Sequence, residues 1–506
     1  MLRRAVAAVA AVSLALGVAP AVAADDAATG ADARVAAAVA QVDALAEDLL
    51  ARSGTPGMAV GIVYQGRLVK ATGYGVRDVR TGAPVTPETV FQLASVSKSV
   101  GASVVAAAVG RGIVTWNDPV VRHLPWFRLS DPYVTRTATI GDMYAMRSGL
   151  PGQAGDILEL VGYDRREVLE RLRTLPLDPF RISYNYTNFG LTTGAEAVAA
   201  AAGKPWDVLS EELIYRPLGM TDTSSRHADF VRRSNRAALH VPEAGRFVAR
   251  YSRQPDAQSP AGGVSSTVVD MATWLTMELS GGWYGGRQIV PSLALAKAQS
   301  AQVRRTPPGD PAALPQFYGY GMNVQVGADG MVQLGHSGAF SAGAGTTYAM
   351  VPALDLGIVV LANALTGAPE ALAQSFVELA STGKVSRDWW AVVAPIFAAF
   401  YATDAGEPPA DAAESRPLAE YAGTYANGFW GRVPVIRGAT GLALVLGPDR
   451  VRVPLRHWDG DTFRGVLAHG DVPTPFLVRF TGGRTITGLV LELGDSQDGT
   501  LARIGG

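Results

Sequence analysis

Cysteine is absent from the 506 residues. That excludes a thiol nucleophile, a disulfide framework, a cysteine-held zinc or iron–sulfur site and a lipidated N-terminal cysteine. Histidine is scarce, and the six, at positions 123, 227, 240, 336, 457 and 469, never fall in an HExxH or other close metal-ligand spacing, so no metal site is expected. Lysine is scarcer still, with only Lys70, Lys98, Lys204, Lys297 and Lys384. Charge is low at 18%, and 44 basic residues nearly balance 45 acidic ones, which leaves no polybasic footprint for nucleic acid. The surplus is apolar: 48% hydrophobic residues can bury a large core and exclude wholesale disorder.

The one long apolar run stands at the N-terminus. Arg3-Arg4, then AVAAVAAVSLALGVA, then Ala21-Val22-Ala23 supply the basic, apolar and small-residue regions of a secretory signal peptide over residues 1–23, cleaved near Ala23. Pro20 interrupts the run before the ~20 residues that a membrane span needs. Export to the periplasm or the cell exterior is therefore expected. Trp389 to Phe400, WWAVVAPIFAAF, is short and holds Pro395, so no transmembrane helix is expected there either.

Val35, Val39, Val42, Leu45 and Leu49 recur at helical spacing up to Gly54 and Pro56. MAVGIVYQGRLVKATGYG then predicts a hairpin turning at Gln65-Gly66. A helix follows Ser95 and stops at Gly110 and Gly112, and a long Pro-punctuated, mostly helical stretch follows it. Strand character returns over Met331–Ala364, with a hairpin around Ala353-Leu354-Asp355, before a helix in PEALAQSFVELASTG. This order predicts an α/β (α+β) domain over residues 24–401, whose antiparallel sheet is built from both chain ends and flanked by helices, with a helical insertion between them. Residues 402–417, acidic and rich in Pro and Ala, read as a linker. Residues 418–506, short alternating strands divided by Gly, Asp and Pro, read as a small β-barrel.

Ser95-Val96-Ser97-Lys98 sits where the extended segment ETVFQLA gives way to a helix, so Ser95 and Lys98 at i and i+3 share one face of its first turn. A serine hydroxyl needs an activating base, and a lysine serves once burial brings its pKa down from ~10.4. Backbone N–H groups at the helix start can stabilise an oxyanion. This spacing suits a Ser/Lys hydrolase. A second S-x-x-K, Ser381-Thr382-Gly383-Lys384, closes a helix and reads as a C-cap. Tyr425-Ala426-Asn427 in the β module reads as structural, and GHSGA at 335–339 lacks the helix that a nucleophile elbow requires after its serine.

FQLASVSK, YNYTNFGLTTG and GHSGAFSAG together resemble, in order and spacing, the three motifs of the serine β-lactamase and penicillin-binding family. The likeness is closest to its class C branch, which includes D-alanyl carboxypeptidases, D-aminopeptidases and esterases. IGDMYAMRSGLPG, YRPLGMTDTS and SPAGGVSSTVVDMATWL extend it across roughly residues 35–385, and the C-terminal module resembles the lipocalin-like domain attached to some of these hydrolases. The resemblance implies Ser95 as the acylated nucleophile, Lys98 as its amine partner and Tyr186 as the proton shuttle. It implies that Asn188, His336 and Gly338 orient the substrate, and that the N–H groups of Ser95 and Ala339 form the oxyanion hole. Whether Lys98 or Tyr186 takes the proton in acylation stays open, since the pair can titrate as a unit. Many members open the third motif with lysine, where this chain has His336, with a reference pKa of ~6.5 and only fractional charge near neutrality. Hence an esterase or D-amino-acid peptide or amide hydrolase is expected rather than a strong β-lactamase, with carboxylate-bearing substrates favoured below pH ~6.5. Small molecules or peptides, including cell-wall peptides, are the expected partners, and no cofactor is needed. The alternative is a receptor that acylates without turnover, or a module that binds ligand through its barrel.

Overall fold

A computed structural model describes residues 27–306, 309, 313–327, 329–401, 406–439, 441–468, 472–493 and 499–505. The expected signal peptide lies outside the described residues, as does His469.

The first helix, Ala27–Ser53, buries Val35, Ala38, Val42, Ala46 and Leu49, a single stripe at helical period. Strands Gly57–Tyr64 and Arg67–Asp78 follow, joined where Gln65 (φ 48°) and Gly66 (φ 67°) both adopt the left-handed conformation that a tight hairpin demands. Gly57–Tyr64 also pairs antiparallel with Leu356–Ala362, Met58 opposite Ala362, so the two ends of the domain meet at the centre of one nine-stranded sheet. Strands Val332–Phe340 and Ala344–Val351 continue that sheet. Leu356–Ala362 is buried at every residue, as a strand covered on both faces must be. On one face pack Ala27–Ser53, Ala368–Thr382 and Trp389–Ala398. The other face carries the helical region, whose centre is the fully buried Ser97–Ala108. Among the described residues no helix is long and apolar enough to cross a membrane.

Beyond it, eight strands from Gly423–Asn427 to Thr500–Gly505 pair in sequence and close, Tyr425 opposite Arg503. The barrel expected at the C-terminus is thus present. Tyr421, Tyr425, Phe463 and Phe480 pack together in its interior, three of the pairs edge to face and the Tyr421–Phe480 pair tilted, with centroids 4.7 Å apart. Part of the stretch that reads as a linker folds onto the barrel: Ala413 N donates to Asp459 Oδ1 at 2.8 Å, and the Arg416 guanidinium pairs with Asp461 at 3.0 Å.

Phe376, wholly buried between its helix and the sheet, is a test of this layer. Phe376→Ala is expected to lower the unfolding free energy by about 3–5 kcal/mol in a denaturant titration; a loss under about 1 kcal/mol would show that the face is not packed as described.

Candidate active site

The backbone leading to Ser95 is held by the segment 264–266 and by Thr346. Strand Phe91–Gln92 pairs with Ser265–Ser266, Leu93 N donates to Val264 O at 2.8 Å, and the Leu93 carbonyl accepts from Thr346 Oγ1 at 2.7 Å. Ala94 then takes φ 46°, a conformation unfavourable for a residue with a Cβ. That kink turns the extended segment into the short 3₁₀ turn Ala94–Val96 and the helix Ser97–Gly110, with Ser95 at the junction, 8% exposed.

Lys98, one turn on, has no solvent exposure. Its Nζ lies 2.6 Å from Asn188 Oδ1, 2.8 Å from Ala261 O and 3.0 Å from Ser95 Oγ. The first two neighbours only accept, so each takes an N–H from the amine. A neutral amine has two N–H groups and one lone pair, and the lone pair is then left for the serine hydroxyl. Burial works toward that neutral form, pushing the Lys98 pKa down to about 7 against the opposing charge of Asp156.

Tyr186 and Asn188 come from the start of the helix Asn188–Ala202, whose N-cap Thr187 accepts from Gly190 N at 3.2 Å through its Oγ1. The Tyr186 hydroxyl donates to Ser95 Oγ at 2.7 Å, and the Lys98 ammonium position lies 4.7 Å from the Tyr186 ring centroid. Burial raises the Tyr186 pKa far above its usual value, so the phenol holds its proton. Asn188 is itself fixed, because its Nδ2 donates to Asp156 Oδ2 at 2.7 Å. Burial pushes the Asp156 pKa up to about 7, against the hydrogen bond from Asn188. Lys98 and Asp156 are thus both buried, and each favours the charged form of the other against that burial.

The third motif lies on strand Val332–Phe340. Its outer neighbour, Asn323–Val326, pairs with it only as far as Gly335, so residues 336–340 present an edge toward Ser95. A Cβ on Gly338 would lie 2.2 Å from Leu93 O and 2.9 Å from Ser95 N, so only glycine lets this edge approach the serine amide. The Ala339 amide is the next along. His336 faces the site as expected, 6.2 Å ring to ring from Tyr186, but its charge does not follow the expectation. Its Nδ1 donates to Ser337 O at 2.7 Å and its Nε2 accepts from Tyr318 OH at 3.0 Å. Burial and then the neighbouring Lys98 push its pKa down to about 3, so His336 stays neutral where fractional charge was expected.

The structure thus joins Ser95, Lys98, Tyr186 and Asn188 in one hydrogen-bonded group, with Gly338, followed by Ala339, on the strand edge against the Ser95 amide and His336 beside Tyr186. The look-alikes stand elsewhere: Ser381 Oγ donates to Val377 O in its own helix, which ends at Gly383 with φ 80°, and Tyr425 OH donates to Tyr421 O inside the barrel. Sequence patterns did not point to Asp156, Ala261 or Tyr318. Asp156 stands in a Gly-rich, apolar stretch with Glu159 three residues on and fits no motif, and Ala261 contributes only its carbonyl, which carries no sequence signal.

Residues 42–381 match the family described as Beta-lactamase, and residues 407–501 match a domain of unknown function, DUF3471. The chain is 30% identical over 340 residues to the D-alanyl-D-alanine-carboxypeptidase/endopeptidase AmpH of Escherichia coli K12, covering 64% of this chain and 84% of AmpH. It is 28% identical over 338 residues to the unguisins hydrolase ungD of Aspergillus violaceofuscus, covering 61% of this chain but only 58% of the fungal protein. The octameric penicillin-binding protein homologue from Pyrococcus abyssi shares the fold at 19% identity and a TM-score of 0.60, over 92% of this chain and 100% of that one.

Two outcomes are expected of the third motif. Gly338→Ala should cut kcat about 100-fold by forcing the strand off the serine amide, and an unchanged kcat would remove the strand from the site. The rate ratio between a carboxylate-bearing ester and its neutral counterpart should be flat from about pH 5 to 8; a rise centred near 6.5 would restore a charged His336.

Proposed function

Since the chain belongs to the Beta-lactamase family, we propose that it is an exported serine hydrolase in which Ser95 takes the acyl group of an ester or of a D-amino-acid peptide or amide. The observation that carries this reading is the convergence on Ser95 Oγ of an amine at 3.0 Å and a phenol at 2.7 Å.

The roles follow from proton inventory. The Lys98 lone pair takes the Ser95 proton as Oγ bonds to the acyl carbon. The negative charge that develops on the acyl oxygen is met by the N–H groups of Ser95 and Ala339, each worth about 3 kcal/mol in such a site. Tyr186, protonated in the resting site, gives its proton to the leaving group and recovers one from the Lys98 ammonium. Water then cleaves the acyl-enzyme and restores the hydroxyl. Asn188 holds the amine and, with His336 and Gly338, lines the substrate's path.

The likeness to AmpH, a D-alanyl-D-alanine-carboxypeptidase/endopeptidase, supports D-amino-acid peptides as one substrate class. The neutral His336 supports substrates that need no cation from the third motif. Residues 1–23 support export.

The test pairs two substitutions. Ser95→Ala is expected to abolish both hydrolysis of an activated ester and labelling by a serine-directed phosphonate, while Ser381→Ala leaves both intact; labelling that survives Ser95→Ala would sink the assignment. Because protonating the amine removes its lone pair, kcat/KM for a neutral ester is expected to fall as pH drops through about 7. A burst of product without turnover would instead favour the stalled receptor.

A further inference from the structure

The helices Asp156–Leu160 and Arg165–Arg171, with the loop before them, meet Asn188 and Tyr186, the segment that leads to Ala261, and the barrel as well. On the catalytic side, Gln153 N donates to Tyr186 O at 2.8 Å and Asp156 accepts from Asn188 at 2.7 Å. Glu159 binds Arg253 and Gln258 in short contacts. Arg165 donates to Asp256 O at 2.7 Å and to Ala257 O at 3.0 Å, just ahead of the turn that presents Ala261 O to Lys98. Of the two acceptors of the Lys98 N–H groups, Asn188 is therefore held directly by this helical pair, and Ala261 through the segment 256–258 that precedes its turn.

Its other end is held by two barrel loops. Tyr163 OH donates to Trp430 O at 2.7 Å, Arg171 Nη1 reaches Gly428 O and Phe429 O at 3.2 Å each, and the Arg171 guanidinium stacks 4.2 Å over the Tyr163 ring. Asp449 N donates to Val161 O at 3.3 Å, and the Gly447 backbone presses so close that a Cβ there would lie 2.1 Å from the same carbonyl. Tyr163 and Trp430 are buried and belong to one continuous hydrophobic core.

We propose that the C-terminal barrel positions the catalytic lysine: by clamping residues 156–171 through the loops at 427–431 and 447–450, it holds Asn188 and the Ala261 carbonyl where they fix the amine against Ser95. The barrel is then part of the catalytic apparatus without touching substrate, and Tyr163 and Arg171 are positioning residues. A small displacement of groups that orient a reacting atom costs far more rate than affinity. This rests on the reading of Ser95 and Lys98 as nucleophile and base.

The test is the full-length chain carrying Tyr163→Phe with Arg171→Gln. The rate of Ser95 acylation by an activated ester is expected to fall about 10- to 100-fold with KM little changed. Water reaching a loosened amine raises its pKa, so the acid limb of kcat/KM should move about half a unit or more toward higher pH. The titratable groups facing Lys98 are Asp156, Tyr186 and His336, and only Asp156 rides on the clamped pair. Asp156→Asn therefore should move the limb the opposite way, by removing the charge that holds the proton on the amine. Tyr163→Phe alone deletes only a hydroxyl and serves if the double variant does not fold; Arg171→Lys should recover part of the rate.

Unchanged acylation and an unchanged limb would overturn the proposal, whether or not hydrogen exchange over 156–171 rises. So would a rate loss that tracks the folded fraction with no movement of the limb. Failure of the wild-type chain to label at Ser95 would instead overturn the nucleophile assignment.

Discussion

Everything at the site depends on how one amine spends its hydrogen bonds. Asn188 Oδ1 and Ala261 O can only accept, and between them they take both N–H groups of a neutral Lys98, which aims the lone pair at Ser95. In water the same amine would be an ammonium three units above neutrality and useless as a base. Burial removes that water, and the phenol of Tyr186, itself held protonated, supplies the hydroxyl with its second partner.

The architecture serves this arrangement by placing groups from distant parts of the chain with little freedom. Ser95 hangs on a strained turn braced by Val264 and Thr346. The strand carrying Gly338 closes on it because no side chain intervenes. Tyr186 and Asn188 start a capped helix, and a pair of short helices ties their backbone and side chains to the barrel. The sheet that unites the two ends of the domain gives these parts a common floor. The charge at the third motif is a consequence as well: burial first, and the neighbouring Lys98 second, hold His336 neutral against the pull of the Ser337 carbonyl, whatever its reference value.

Much of this was legible in the residues. Period 3.6 in 35–49, Gln65-Gly66 between two β-rich runs, and the alternation after residue 418 each specified an element by local chemistry, and all three stand in the structure. The motif residues were legible because their types, order and spacing match those of the family. What escaped had no local signal. Asp156 is an ordinary acidic residue until the fold buries it beside Asn188, Ala261 acts through a carbonyl that every residue owns, and the barrel holds the Tyr163 and Arg171 side chains through its own main-chain carbonyls. The His336 charge was misjudged for the same reason, since desolvation is a property of the packed site and a sequence shows only the reference pKa.

The most direct measurement is the titration of the lysine side-chain nitrogens by NMR in protein labelled with ¹⁵N-lysine, since five lysines make a sparse spectrum. Lys98, identified by its loss in Lys98→Arg, is expected to release its proton near pH 7, well before the others. A Lys98 that stays an ammonium up to about pH 10 would contradict the amine as the base.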